Sequence, residues 1–306
     1  MIEYSIKRIL LTIPLLLGII LLTFMLMNLI PGNPIAVLLD EKMNPEIVAR
    51  LTKELHLNDP AHIKFFKYLK GLLRGDMGKS IMMNQSVAKL IFAVFPNTLK
   101  LTAFSIIIAW ITGIPAGITA ALKNGTALDH IISFFSVGYI SVPSFFIGMA
   151  LQYTVAYKWN LLPISGFYGF KHMILPALVL SLNLGGQITR LVRSSMIATL
   201  QSDYVKTAVS KGQTPLNIII FHELRNCLLP VITIMLMQVT SLLGGAVITE
   251  SVFAIPGIGT LSISALTNRD MPLLQGTIIL SAGLIIIGNL IADILCALID
   301  PRIRCD

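Results

Sequence analysis

Charge is what this sequence has least of. Only 12% of its 306 residues are Asp, Glu, Lys or Arg, about half the share of roughly 25% found in a soluble domain. So few charges cannot cover a water-facing surface, and 55% of the residues are hydrophobic. A soluble globular domain is excluded, and a single membrane domain over 1–306 is implied. The net charge of +8 would point to nucleic acid in a soluble protein. In a membrane protein, Lys and Arg collect in cytoplasmic loops instead, so no nucleic-acid partner is read from it.

Cysteine is scarce as well. Cys227, Cys296 and Cys305 are odd in number and lack a C-x-x-C spacing, which argues against a disulfide framework. The topology below puts all three at or near the cytoplasmic side, where thiols stay reduced. The five histidines, at 56, 62, 130, 172 and 222, are scattered.

Two stretches imitate catalytic motifs without meeting their requirements. "GDMGKS" at 75–80 ends like a phosphate-binding loop, but Leu73 stands where the first glycine belongs. No strand precedes it, so it reads as a turn after a surface helix. "HELRN" at 222–226 begins like a zinc-protease helix, yet Asn226 replaces the second His that one metal would need from one helical face. No G-x-S-x-G elbow is present. Neither catalytic nor metal-ligating residues are assigned.

Long apolar runs are what the chain does have. Residues 9–30, "ILLTIPLLLGIILLTFMLMNLI", follow Lys7 and Arg8. The run exceeds the roughly 7–15 residues of a signal-peptide core and has no small-residue cleavage site, so it predicts a retained transmembrane helix. Crossing a bilayer takes about 20 apolar residues. Six segments qualify: 9–30, 98–122, 131–157, 173–190, 230–250 and 273–298. Pro143 interrupts the third, and Gly185–Gly186 softens the fourth.

Orientation follows from basic residues in the short loops. With the N-terminus inside, the cytoplasmic side receives Lys7, Arg8, Lys123, Arg190, Arg193, Lys206, Lys211, Arg225, Arg302 and Arg304, against Lys158, Lys171 and Arg269 outside. Both termini are therefore expected in the cytoplasm, with 31–97 as an extracytoplasmic insertion and 191–229 as a cytoplasmic loop. Inside the insertion, "NPEIVARLTKELHL" and "AHIKFFKYLKGLLRG" carry apolar residues at helical spacing. They predict short helices on the outer face. No internal repeat is evident.

Polar residues within the spans suit helix contacts or a solute pathway: Ser141, Gln152, Asn183, Gln187 and Gln238. Glu250 and Asp293 are the intramembrane charges, and such groups are often functional. Both lie near span ends, where a structural role costs least. Glu250 joins the pathway candidates.

The stretch "SDYVKTAVSKGQTPLNIIIFHELRNCLLP" at 202–230 concentrates charge between two apolar runs. Ser202 suits an N-cap and Asp203 the positive helix end. Tyr204, Val205, Ala208 and Val209 share one stripe, and Gly212 fits a left-handed helix stop. A second helix is expected from Thr214, with Pro215 in its first turn. Three readings remain open on these residues alone: a plain connector, a helix lying on lipid, or a helix filling a groove on a partner protein.

"KTAVSKG" at 206–212 with "LLP" at 228–230 resembles the EAA loop of ABC-importer permeases. Lys206 replaces the usual opening Glu, as is common in the peptide-importer branch. Ala208 and Gly212 match, and Val209 and Ser210 depart from the frequent Arg-Ala. Ordered matches cover nearly the whole chain: "PGNP" at 31–34, "LHLNDP" at 55–60, "GLLRGDMGKSI" at 71–81, "NTLKLT" at 97–102, "SVPSFF" at 141–146, "ESVFAIPGIG" at 250–259, "NRDMPLLQG" at 268–276 and "DPRIR" at 300–304. Together they resemble the first-permease subunit of the dipeptide, oligopeptide and nickel importer family.

That resemblance implies an all-α, type I ABC importer permease fold in a bacterial cytoplasmic (inner) membrane. It implies half of a translocation pathway for peptides, or for nickel, glutathione or another small solute. Asp203, Tyr204, Val205, Lys206, Thr207, Ala208, Val209, Ser210, Lys211 and Gly212 become the segment that couples to an ATPase. The chain itself would bind no cofactor, with ATP and Mg²⁺ on two partner ATPase subunits. A second related permease, an extracytoplasmic solute-binding protein and membrane lipid complete the expected partners. The competing class is a self-sufficient channel or secondary transporter.

Overall fold

The computed structural model describes residues 2–29, 60–214, 217–218 and 224–299. Among them it contains helices, turns and one isolated bridge between Lys79 and Ser86. The helix expected over 44–57, "PGNP", most of "LHLNDP", the start of "HELRN", "DPRIR" and Cys305 lie outside the described residues.

Helix α1, Ile2–Leu29, is the predicted first span. It runs unbroken through Pro14, which transmembrane helices tolerate when neighbouring groups satisfy the freed carbonyl. Helix α2, Ala61–Leu72, is the amphipathic segment expected outside. Phe65 of α2 meets Phe24 of α1 edge-to-face at 5.3 Å between ring centres. Helix α3, Val87–Leu122, starts eleven positions before the expected 98 and continues through Pro96 and Pro115.

The third span departs from a single helix. Helix α4, Ala127–Ser141, stops at Val142, which is held extended at ψ 128° because the following proline ring disfavours helical geometry there. Helix α5, Ser144–Leu151, restarts after Pro143 and leads into a π-helical segment, Gln152–Lys158. The two halves are bent by 102°.

Helix α6, Phe170–Leu200, carries Gly185–Gly186 without a break. Helix α7, Asp203–Ser210, is the first helix of the polar stretch. Helix α8, Leu224–Leu243, ends where Gly245 turns to φ +107°, and the chain restarts as α9, Val247–Val252. Helices α10, Ile258–Thr267, and α11, Met271–Ile299, complete the order.

The six-span expectation therefore changes in detail. Among the described residues, four helices (α1, α3, α6 and α11) are long and apolar enough to cross a membrane, or five if the bent pair α4–α5 counts as one. The fifth candidate, 230–250, is a shorter apolar helix, Cys227–Leu243. The glycine-rich break after it diverts the remaining residues into α9.

Helices α3 and α6 form the centre. A β-carbon at Gly117 would lie 2.7 Å from the Thr189 carbonyl oxygen, so these backbones touch as small residues allow in membranes. The Thr189 hydroxyl donates to the Gly113 carbonyl at 3.1 Å across the same seam. Helix α4 is tied to α6 by Arg193, whose Nε and Nη2 reach the buried Asp129 carboxylate at 2.5 and 2.8 Å. At the other end, Asp270 caps α11 through Leu273 N–H and accepts from the Ser80 hydroxyl at 2.5 Å. That contact turns "GDMGKS" into a latched turn, with Gly75 and Gly78 at positive φ.

Candidate functional site

A cavity of about 530 Å³ opens where the α4–α5 bend meets α6 and α8. The bend exists because of Pro143, so one proline both breaks the span and exposes the polar ends of its neighbours. Ser141, Ser144, Asn183, Gln187, Gln238 and Ser241 supply the polar lining, alongside apolar residues such as Leu180, Ile234 and Met237. Among the described residues, none that lines the cavity carries a charge.

Its carboxamides are connected. Trp110 Nε1 donates to Gln238 Oε1 at 3.4 Å. Gln238 Nε2 donates to the Leu184 carbonyl at 3.1 Å and to Gln187 Oε1 at 3.5 Å. Gln187 Nε2 donates to Asn183 Oδ1 at 2.9 Å, and Asn183 Nδ2 to the Tyr139 carbonyl at 3.4 Å. The strip thus runs from α3 through α8 and α6 to the end of α4. Gln238 is buried, whereas Gln187 is exposed to the cavity.

Four of the six predicted pathway residues, Ser141, Asn183, Gln187 and Gln238, come together here. Gln152 does not. Its Nε2 donates to the Ile164 and Val252 carbonyls, both at 2.9 Å, and so stitches the π-helical segment to α9. Glu250 also lies elsewhere, fully buried. It accepts from Thr98 Oγ1 at 2.8 Å, Gly259 N–H at 2.8 Å and Thr260 N–H at 3.2 Å. Asp293, the other intramembrane acid, pairs with Arg8 at 2.8 Å. Sequence reasoning missed Trp110, Asp129 and Arg193. A lone tryptophan within an apolar span was the available signal, because its N–H seeks a partner when buried.

In the polar stretch, α7 ends as expected. Gln213 N–H donates to the Ala208 carbonyl at 3.3 Å, across Gly212 at φ +75°, the bond of a Schellman stop. The Ser202 hydroxyl donates back to the Thr199 carbonyl at 2.6 Å. The stripe is divided. Val205 and Ala208 are buried against Ile218 of the same chain, while Tyr204 is 43% exposed. The outward face is therefore Asp203, Tyr204, Thr207, Ser210 and Lys211. The side chains of Lys206 and Val209 lie outside the described residues.

One element joins the two sites. Helix α6 carries Asn183 and Gln187 on the cavity wall and continues to Leu200, two residues before Ser202. At 1.5 Å per residue the cavity strip lies roughly 20 Å along that helix from its end.

Known proteins match this chain from end to end. Residues 113–304 match the family of binding-protein-dependent transport system inner membrane components, and residues 1–102 match the N-terminal part of such membrane components. The chain is 38% identical to the dipeptide transport system permease protein DppB of Escherichia coli K12, with 99% of both chains covered. It is 37% identical to the oligopeptide transport system permease protein AppB of Bacillus subtilis, covering 99% of this chain and 100% of that one. The glutathione transport system permease protein GsiC of Salmonella paratyphi A is 35% identical, with 99% of each covered. An inward-facing structure of the MetNI methionine ABC transporter superposes with a TM-score of 0.59 at 15% identity, over 69% of this chain and 96% of that one. That is a likeness of fold. The helical architecture, the family matches and the full-length relatives agree: the chain belongs to the binding-protein-dependent transport system inner membrane components, the multi-pass permeases of ABC importers.

Proposed function

We propose that this chain is the first-permease subunit of an ATP-driven importer of di- and oligopeptides, and that it forms half of the translocation pathway. The observation that carries the reading is the single helix α6, which links the carboxamide-lined cavity to the polar segment at 202–212. Energetic coupling between distant sites can travel along a rigid element of this kind. A push on α7 enters α6 directly, and Asn183 and Gln187 move with it.

In this reading α7 docks on an ATPase subunit through its outward face, centred on Tyr204. ATP and Mg²⁺ sit on two partner ATPase subunits. A second permease supplies the other half of the pathway, and an extracytoplasmic binding protein delivers the peptide. The peptide assignment is supported by relatives named for dipeptide and oligopeptide transport. The termini and 202–212 face the cytoplasm, as the basic residues of the short loops suggest.

Reconstitution tests it. Co-expressed with its partner permease and ATPases and placed in proteoliposomes with the binding protein, the complex imports labelled dipeptide only when ATP is supplied. Purified alone, the chain neither binds nor hydrolyses ATP. Single cysteines at positions 60 and 210 label from opposite sides with an impermeant reagent. Import without ATPase partners, or labelling of both positions from outside, overturns the reading.

A further inference from the structure

We infer that Trp110, together with the Leu184 and Tyr139 carbonyls, sets the polarity of the Gln238–Gln187–Asn183 strip, and that this strip reads the main chain of an extended peptide passing through the cavity. The inference rests on the peptide reading above and deepens it.

An indole N–H can only donate. Its bond to Gln238 Oε1 therefore fixes which end of that carboxamide faces α3, and leaves Nε2 for the Leu184 carbonyl and Gln187 Oε1. With Oε1 of Gln187 accepting, its Nε2 is turned to Asn183 Oδ1. Asn183 in turn points its amide nitrogen at the Tyr139 carbonyl. All donors point one way, and bonds in such a chain polarise one another. The donor-only indole at one end and the acceptor-only Leu184 and Tyr139 carbonyls thus fix the three amide orientations together.

The free capacity is what faces the cavity. Each carboxamide has two N–H donors and two acceptor lone pairs, and the strip uses one of each at Gln187 and Asn183. Each therefore still offers one donor and one acceptor, the same complement that a peptide unit presents. Asn183 and Gln187 are four residues apart on α6, roughly 6 Å along its axis. Same-side main-chain groups of an extended peptide repeat at roughly 6.7 Å. The absence of charge in the lining among the described residues means that side-chain charge of the cargo finds no fixed partner. Recognition falls on the part that all peptides share.

The test exchanges the amide N–H of the cargo for an ester oxygen. The full complex in proteoliposomes, with binding protein and cargo both saturating, is given a tripeptide and the depsipeptide of the same side chains. The parent complex is expected to import the amide about three- to ten-fold faster, the worth of one net hydrogen bond. Gln187→Leu should bring that ratio close to one. Trp110→Phe, which keeps a ring and removes only the donor, should lower it part of the way. A merely structural Trp110 would slow both cargoes equally and leave the ratio unchanged. Import of tripeptides bearing Lys or Asp should differ little from that of Ala in the parent. An unchanged amide-to-ester ratio in Gln187→Leu overturns the inference while leaving peptide transport intact. No import of any peptide by the parent overturns the functional reading itself.

Discussion

The Thr98 hydroxyl of α3 donates to the Glu250 carboxyl group of α9 at 2.8 Å, and the same hydroxyl accepts from Ile258 N–H at 3.0 Å. Glu250 also takes two N–H groups from the first turn of α10, where a helix N-terminus favours an acidic oxygen. Three elements thus meet on one side chain. Glu250→Ala strands all its donors in a buried place and should cost about 3 kcal/mol or more, at about 1–3 per unsatisfied group. Glu250→Gln keeps one oxygen for the Gly259 and Thr260 donors and lets the Thr98 hydroxyl rotate to accept. It should cost about 1 kcal/mol. Thermal unfolding of the detergent-solubilised complex separates them, and equal losses would mean that the three-way junction contributes little.

Arg193 and Asp129 make a second testable pair. The carboxylate is almost fully buried, while the guanidinium is 30% exposed and also reaches Asn124 Oδ1 at 3.1 Å. Arg193→Lys removes the planar fork and should behave more like Arg193→Ala than like the parent. A double-mutant cycle of Asp129→Asn with Arg193→Ala should give a coupling of about 1.5–3 kcal/mol, as for hydrogen bonds to charged groups. A coupling near zero would show that α4 is held to α6 by packing alone.

What the sequence made legible followed from composition and breaks. Apolar runs located α1, α3, α6 and α11, and Pro143 marked the bend between α4 and α5. Prolines were not uniform signals, since Pro14, Pro96, Pro115 and Pro176 sit inside continuous helices. In a packed membrane helix, local adjustments satisfy the carbonyl that proline abandons. Helix α10 was hidden because its "IGTLSISALT" has neither enough length nor charge contrast to stand out. The carboxamides were visible as polar residues in apolar runs, but their division was not. Gln152 and Gln238 look alike in sequence. One is spent on the Ile164 and Val252 carbonyls, the other lines the cavity, and only the fold decides which. Likewise, helical spacing grouped Tyr204 with Ala208, while Ile218, ten residues further on, claims Ala208.

Two glycines, one in the α3–α6 seam and one outside it, should respond in opposite ways. At Gly117 an added β-carbon would lie 2.7 Å from both the Thr189 oxygen and Val192 Cβ, so Gly117→Val must push the helices apart. Overpacking costs about 1–3 kcal/mol, and rigid backbone here favours the upper end. Gly18 in α1 has nothing within 4 Å of that position, so Gly18→Ala should be neutral or stabilise by up to about 1 kcal/mol. The yield of folded chain after detergent extraction reads both. Comparable losses from the two would refute a tight seam.

The last prediction separates docking from folding in the polar stretch. Ala208 is buried with Val205 against Ile218, so Ala208→Glu puts a charge into the chain's own contact and should disorder the segment as well as uncouple it. Gly212→Val should act similarly, because φ +75° is strained for a β-branched residue. Tyr204 is different: it is exposed and absent from that internal cluster. Tyr204→Ala should leave the permease folded and extractable at the parent level. It should weaken retention of the ATPase subunits about ten-fold, the loss typical of an aromatic anchor at an interface. Import and cargo-stimulated ATP hydrolysis should fall together. A helix lying on lipid instead predicts full retention of the ATPases and a new dependence on anionic lipid. Full retention together with full transport in Tyr204→Ala would place the ATPase contact on some other face.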